Sequence, residues 1–149
     1  MRRHGIIYIE VSSNIELQNS LELYLSKLSK DKNVILILNM PSGEEFSPLS
    51  LLKGSRLTSI VKSTDKNYVD RLHAEAQYIK LNAVINEIAI KHNIRVINPF
   101  DFFCADDKCP LTNYEGIPFY RDGQHISATH ARTNATFIDE MLISNSSEH

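Results

Sequence analysis

Three short apolar runs, each followed by a polar or helical-period stretch, constrain this chain more than any other feature. "GIIYIEV" (Gly5 to Val11), "NVILILNMP" (from Asn33) and "IRVIN" (Ile94 to Asn98) are rich in β-branched residues and too short for buried helices. Pro41 and Pro99 stop the second and third. Between the first two, Ser13 with Glu16 three residues on has the form of a capping box, and Leu17, Leu21, Leu25 and Leu28 repeat at helical spacing. A second helical pattern runs from about Asp65 to His92, with Val69, Leu72, Ala76, Ile79 and Ala83 on one face and a kink expected near Asn82. Residues 42–63 read as loop, punctuated by Gly43, Pro48 and Gly54. A last helix is expected from Ser127, as N-cap, to about Leu142, with 143–149 a flexible tail. Strands alternating with crossover helices predict an α/β fold, a three-layer α/β/α arrangement around a parallel sheet. Ligands bind such sheets at the carboxyl ends of the strands. The loops after Val11, Met40 and Asn98, and the loop ending at His125, are expected on that edge.

The chain of 149 residues suits one domain with a real core. Its 16 basic and 18 acidic residues give a net charge of -2, so nothing electrostatic calls for nucleic acid or an anionic membrane surface. No apolar run approaches the length of a bilayer span, and Glu10 interrupts the N-terminal run before it reaches that of a signal-peptide core. Taken alone, these features favour the cytoplasm. Cys104 and Cys109 enclose the polar "ADDK". The spacing leaves two free thiols and a small-loop disulfide equally open, the latter contributing about 2 kcal/mol if unstrained. Zinc is short of ligands at this single pair, and no cofactor is expected.

The chemistry-bearing stretch is "FYRDGQHISATHAR", residues 119–132. A hydroxyl nucleophile needs a base that works near neutrality, and that imidazole needs a carboxylate on its other nitrogen to fix its tautomer. Asp122 and His125, three apart in a loop before a helix, have the residue types and the spacing for this. On spacing alone the simpler reading is a solvated loop aspartate and a helix-start histidine, and a metal site using Asp122, His125 and His130 is a further alternative whose spacing matches no strong metal motif.

Taken with what precedes it, this stretch resembles the end of an SGNH-type domain of the bacterial membrane acyltransferases (acyltransferase-3 family) that O-acylate surface polysaccharides. The resemblance lies in an order of features over residues 82–132. A helix leads to a short strand ending in "NPF", two close cysteines follow, and then comes "FYRDGQHIS", similar to the family's Tyr-Arg-Asp-x-x-His-Leu-Ser ending. Ile126 stands where the family usually has Leu, and His130 falls near a position usually taken by a small residue. The resemblance implies that Asp122 and His125 are the acid and base of a Ser-His-Asp triad. It implies that Cys104 and Cys109 form a disulfide in a periplasmic or other extracytoplasmic domain, and that an acyl (acetyl) group passes through a serine ester to a glycan hydroxyl or to water. Its implied partners are a glycan or acyl-ester substrate and an upstream membrane acyltransferase segment.

The family's Gly-Asp-Ser-like turn has no counterpart here. "GIIYIEV" aligns best with the family's third strand, so residues 1–149 read as a single partial domain, lacking the first strands and the nucleophile. Asn14, in "VSSN", is the candidate oxyanion donor, though the start of the first helix explains it better. Ser12 and Ser13 are the serines at the sheet edge; Ser47, Ser50 and Ser127 have weaker cases. Tyr120 and Arg121 flank the dyad and could shape a cleft, but packing and solvation are the simpler reading. An exposed edge on "GIIYIEV" predicts self-association or dependence on an upstream segment. The competing function is a non-catalytic α/β glycan-binding or scaffold domain carrying a relic dyad.

Overall fold

A computed structural model describes residues 3–8, 15–54, 59–62, 67–136 and 138–139. The chain divides into two compact units, Met1–Asn39 with Gln77–Pro99 and Met40–Ala76 with Phe100–His149.

The first unit is a parallel sheet with its crossover helices. Strand β1 (Arg3–Tyr8) leads to helix α1 (Ile15–Asp31) and strand β2 (Lys32–Ile37), and α3 (Ile79–Lys91) leads to β6 (Arg95–Ile97). The strand order is β1-β2-β6, all parallel, with Ile6 opposite Ile35 and Leu36 opposite Val96. Both connections step across the sheet in the same direction, and right-handed crossovers of that kind put their helices on one face. Leu21 and Leu25 of α1 and Ile85, Ile88 and Ala89 of α3 accordingly share one buried cluster with Val34, Leu36 and Leu38. Ile35 and Ile97, whose side chains alternate to the other face, are buried too. The α/β class and the parallel sheet stand as the alternation predicts. Glu22 of α1 is bonded to Lys91 of α3, closing the exposed side of that helix pair.

The second unit collects the loops and the cysteines. After two short 3-10 turns (Glu44–Phe46 and Pro48–Leu51), β3 (Leu52–Lys53) pairs antiparallel with β4 (Val61–Lys62). Strand β5 (Tyr68–Asp70) pairs antiparallel with β7 (Lys108–Pro110), and helices α2 (Arg71–Ala76), α4 (Phe100–Phe103) and α5 (Ala128–Asn134) complete it. The long helix expected from Asp65 to His92 is therefore corrected in two places. Val69 lies in β5 opposite Cys109, and Asp70 Oδ1 accepts from the His73 amide at 2.9 Å to start α2. The break falls at Gln77–Tyr78, where the chain returns to the first unit, while Asn82 donates helically to the Tyr78 carbonyl. Cys104 and Cys109 form a disulfide, and both are buried. Phe100, Phe103, Leu111, Phe46 and Tyr120 are buried in the same unit. No helix among the described residues is long and apolar enough to cross a membrane.

Candidate functional site

Residues 119–127 form a narrow, hairpin-like loop. Phe119 donates to the Leu111 carbonyl at 2.9 Å, Ser127 donates to Phe119 at 2.7 Å, and Arg121 donates to His125 at 2.8 Å. Tyr120 and Ile126 are bridged across it, which leaves Asp122, Gly123 and Gln124 to make the turn. Local chemistry explains that turn. Asp122 Oδ1 accepts from the amides of Gln124 and His125, both at 2.8 Å, the pattern that suits an aspartate to a turn.

The same carboxylate meets the imidazole. His125 Nδ1 lies 3.0 Å from Oδ1 and 3.0 Å from Oδ2 of Asp122. Carboxylate oxygens only accept when ionised, so this contact favours a proton on Nδ1 and leaves Nε2 as the basic nitrogen. No described residue is hydrogen-bonded to that second nitrogen, and the side chain is 64% exposed. The Gln124 amide, then the His125 amide and finally the imidazole hold the Asp122 carboxyl down at about 2, so it is an anion throughout the neutral range. Arg121 adds a positive charge 3.6 Å from Oδ2.

A cavity of about 470 Å3 opens beside the pair, lined by Gly43, Glu44, Asp122, Gly123, Gln124 and His125. The sequence gives no hint of Gly43 and Glu44. The Gly43 amide donates to the Gly123 carbonyl at 2.7 Å, and a Cβ on Gly123 would stand 2.7 Å from the Gly43 oxygen. Only glycine at 123 permits that approach, and Gly43 itself, at φ 139°, has a backbone that other residues avoid. Below the contact, the buried rings of Phe46 and Tyr120 pack with centroids 4.9 Å apart, so Tyr120 is a packing residue.

The other candidates are elsewhere engaged. Ser127 Oγ caps α5 by accepting from the His130 amide at 3.2 Å, as its position predicts. Ser47 Oγ caps the Pro48–Leu51 turn, accepting from Leu49 at 3.3 Å, and Ser50 Oγ donates to the Glu45 carbonyl at 2.8 Å. His130 is 5% exposed and stacks on Phe119 with ring centroids 3.8 Å apart, and burial pushes its imidazole pKa down. It is a core residue of this unit. Among the described residues no three His, Cys, Asp or Glu side chains converge as metal ligands, so the set of Asp122, His125 and His130 is not assembled. Ser12, Ser13 and Asn14 lie outside the described residues.

One family model matches the chain, described as the SGNH domain (fused to AT3 domains), over residues 4–140 and so through both units. No curated protein and no solved structure is significantly similar to it.

Proposed function

The chain belongs to the SGNH domains that are fused to AT3 domains, and from that premise we propose that Asp122 and His125 are the acid and base of an acyl-transfer site. The single observation that carries this reading is the double contact of Asp122 on His125 Nδ1, which leaves Nε2 free for a hydroxyl. In the proposed reaction Nε2 takes the proton of a serine Oγ as that oxygen attacks an acyl-ester carbonyl. The tetrahedral intermediate collapses, and Nε2 gives the proton to the departing alkoxide. A glycan hydroxyl, or water, then loses its proton to Nε2 and attacks the acyl-serine. The ester passes to the acceptor, or the acid is released, and the serine recovers its proton. Asp122 stays ionised and supports the imidazolium that forms twice in the cycle.

Ser47, Ser50 and Ser127 each engage their hydroxyl in a cap or turn, which argues against these three as the nucleophile. In this reading the serine and its oxyanion group come from outside the described residues, the acceptor is a surface polysaccharide, and the domain works extracytoplasmically beside a membrane acyltransferase segment. The disulfide is in keeping with an oxidising compartment.

Incubating the chain with p-nitrophenyl acetate tests the division of labour. The expected result is no stoichiometric burst of p-nitrophenol. A burst that disappears in His125→Ala would put the nucleophile within these residues.

A further inference from the structure

The disulfide loop and the turn that follows it have no part in the acyl-transfer chemistry, yet together they frame a cleft of about 690 Å3 with Tyr68 and Tyr114 in its lining. Tyr114 is 96% exposed and Tyr68 is 49% exposed. Large rings left so open are an unspent binding surface, because an aromatic side chain can bury about 150–250 Å2.

The backbone that carries each ring is fixed. Asn113 pins the turn that carries Tyr114: its Oδ1 accepts from the amides of Glu115 at 3.0 Å and Ile117 at 2.8 Å, its own amide donates to the Ile117 carbonyl, and its carbonyl accepts from Gly116. Gly116 has φ 78°, the conformation that closes this turn. Tyr68 is held in β5 opposite Pro110, with Lys108 Nζ 4.7 Å from its ring centroid. Ala105 and Lys108 are paired across the Asp106–Asp107 turn, and the Cys104–Cys109 bond closes its base. With the backbone fixed at both positions, only side-chain torsions remain to be ordered when a ligand arrives.

The chemistry of the walls selects the ligand class. The electron-rich face of an aromatic ring attracts the C–H face of a pyranose, and amides, hydroxyls and carboxylates such as those of Asn67, Thr112 and Asp107 match sugar hydroxyls. Asp106, Asp107 and Glu115 outnumber Lys108 among the charged lining residues, so a uronate, sulfate or phosphate meets net repulsion. A second cavity of about 540 Å3 shares Pro110, Thr112, Asn113 and Tyr114 and reaches Ser127, two residues beyond His125.

We propose that the Tyr68–Tyr114 cleft binds an uncharged, hydroxyl-rich oligosaccharide and is the acceptor subsite of the domain. The binding does not require the dyad; only its role as acceptor subsite rests on the acyl-transfer reading.

The test is a titration of the 15N-labelled chain with isomaltohexaose, chitohexaose, mannohexaose and hexagalacturonate, followed by amide shifts. At least one neutral hexasaccharide is expected to move residues 67–68, 106–108 and 113–116. Tyr114→Ala should weaken that binding at least tenfold and Tyr114→Phe less than twofold, with Asp122→Ala/His125→Ala binding as the unmodified chain does. The proposal is overturned if none of the three neutral sugars shifts these amides, if Tyr114→Ala binds normally, if hexagalacturonate binds as well, or if the double variant loses binding. Failure of acyl transfer in the complete enzyme with these shifts intact would remove the chemistry and leave the cleft.

Discussion

At the scale of the residue, Asp122 does two jobs with one carboxylate. It accepts two backbone amides that build the turn, and it engages the imidazole that the turn delivers. Both jobs hold its pKa at about 2, against an ordinary 3.8. The sign of the linkage follows: a depressed folded-state pKa stabilises the loop above the ordinary value, and that contribution is lost as pH falls from about 3.8 towards about 2. The amides of Gln124 and His125 should therefore report a titration with a midpoint near 2 by NMR, and a midpoint near 4 would mean that the carboxylate is not so bonded. If the pair is the proposed acid and base, Asp122→Asn should lower kcat for acyl transfer by roughly 10³–10⁴-fold with little change in KM, because it removes the carboxylate facing Nδ1. Gly123→Ala makes a different prediction. The added Cβ collides with the Gly43 oxygen, so the turn must shift, and the His125 ring resonances should move although neither ring nor carboxylate is altered.

At the scale of the element, the local signals were the readable ones. The Asp-x-x-His spacing, the Ser127 cap and the α1 leucines are governed by residues three or four apart, and Leu21 and Leu25 are buried as the stripe requires. Val69, Leu72 and Ala76 matched a helical period just as well, but Val69 is buried in β5 against a strand forty residues downstream. A window of local sequence holds no record of that pairing. The Gly43–Gly123 contact is hidden for the same reason, as eighty residues separate its two halves. His130 shows how an element can contradict a chemical reading: it begins α5 beside the dyad in sequence but is buried against Phe119 and Phe103. A buried, neutral histidine stabilises the fold above its ordinary pKa of 6.5, and that stabilisation is lost as pH falls below it, because the unfolded chain binds the proton more readily. The melting temperature should drop as pH is lowered from 7 to 5, and His130→Phe should flatten that dependence; a parallel drop in the variant would assign the effect elsewhere.

At the scale of the molecule, the chain leaves the sheet unit after β2 and again after β6, so the dyad, the disulfide and the two-tyrosine cleft all belong to the second unit. The family match runs through both. The parallel sheet was legible because alternating strands and helices admit few topologies; the division into two units was not, because it depends on where residues 40–76 pack rather than on what they are. Among the described residues β1 pairs only with β2. Its other edge should accept a strand from an upstream segment or from a second copy. Light scattering of the chain alone should show concentration-dependent dimers that Ile6→Pro abolishes, and a monomer at all concentrations would contradict it.

If Asp122 fixes His125 as a base with Nε2 available, the neutral ring carries its proton on Nδ1. A long-range 1H–15N correlation spectrum of the His125 ring at pH 8.5 measures this directly. The expected result is a proton on Nδ1 and none on Nε2, with the preference lost in Asp122→Asn. A ring protonated on Nε2, with the same spectrum in the variant, would contradict it.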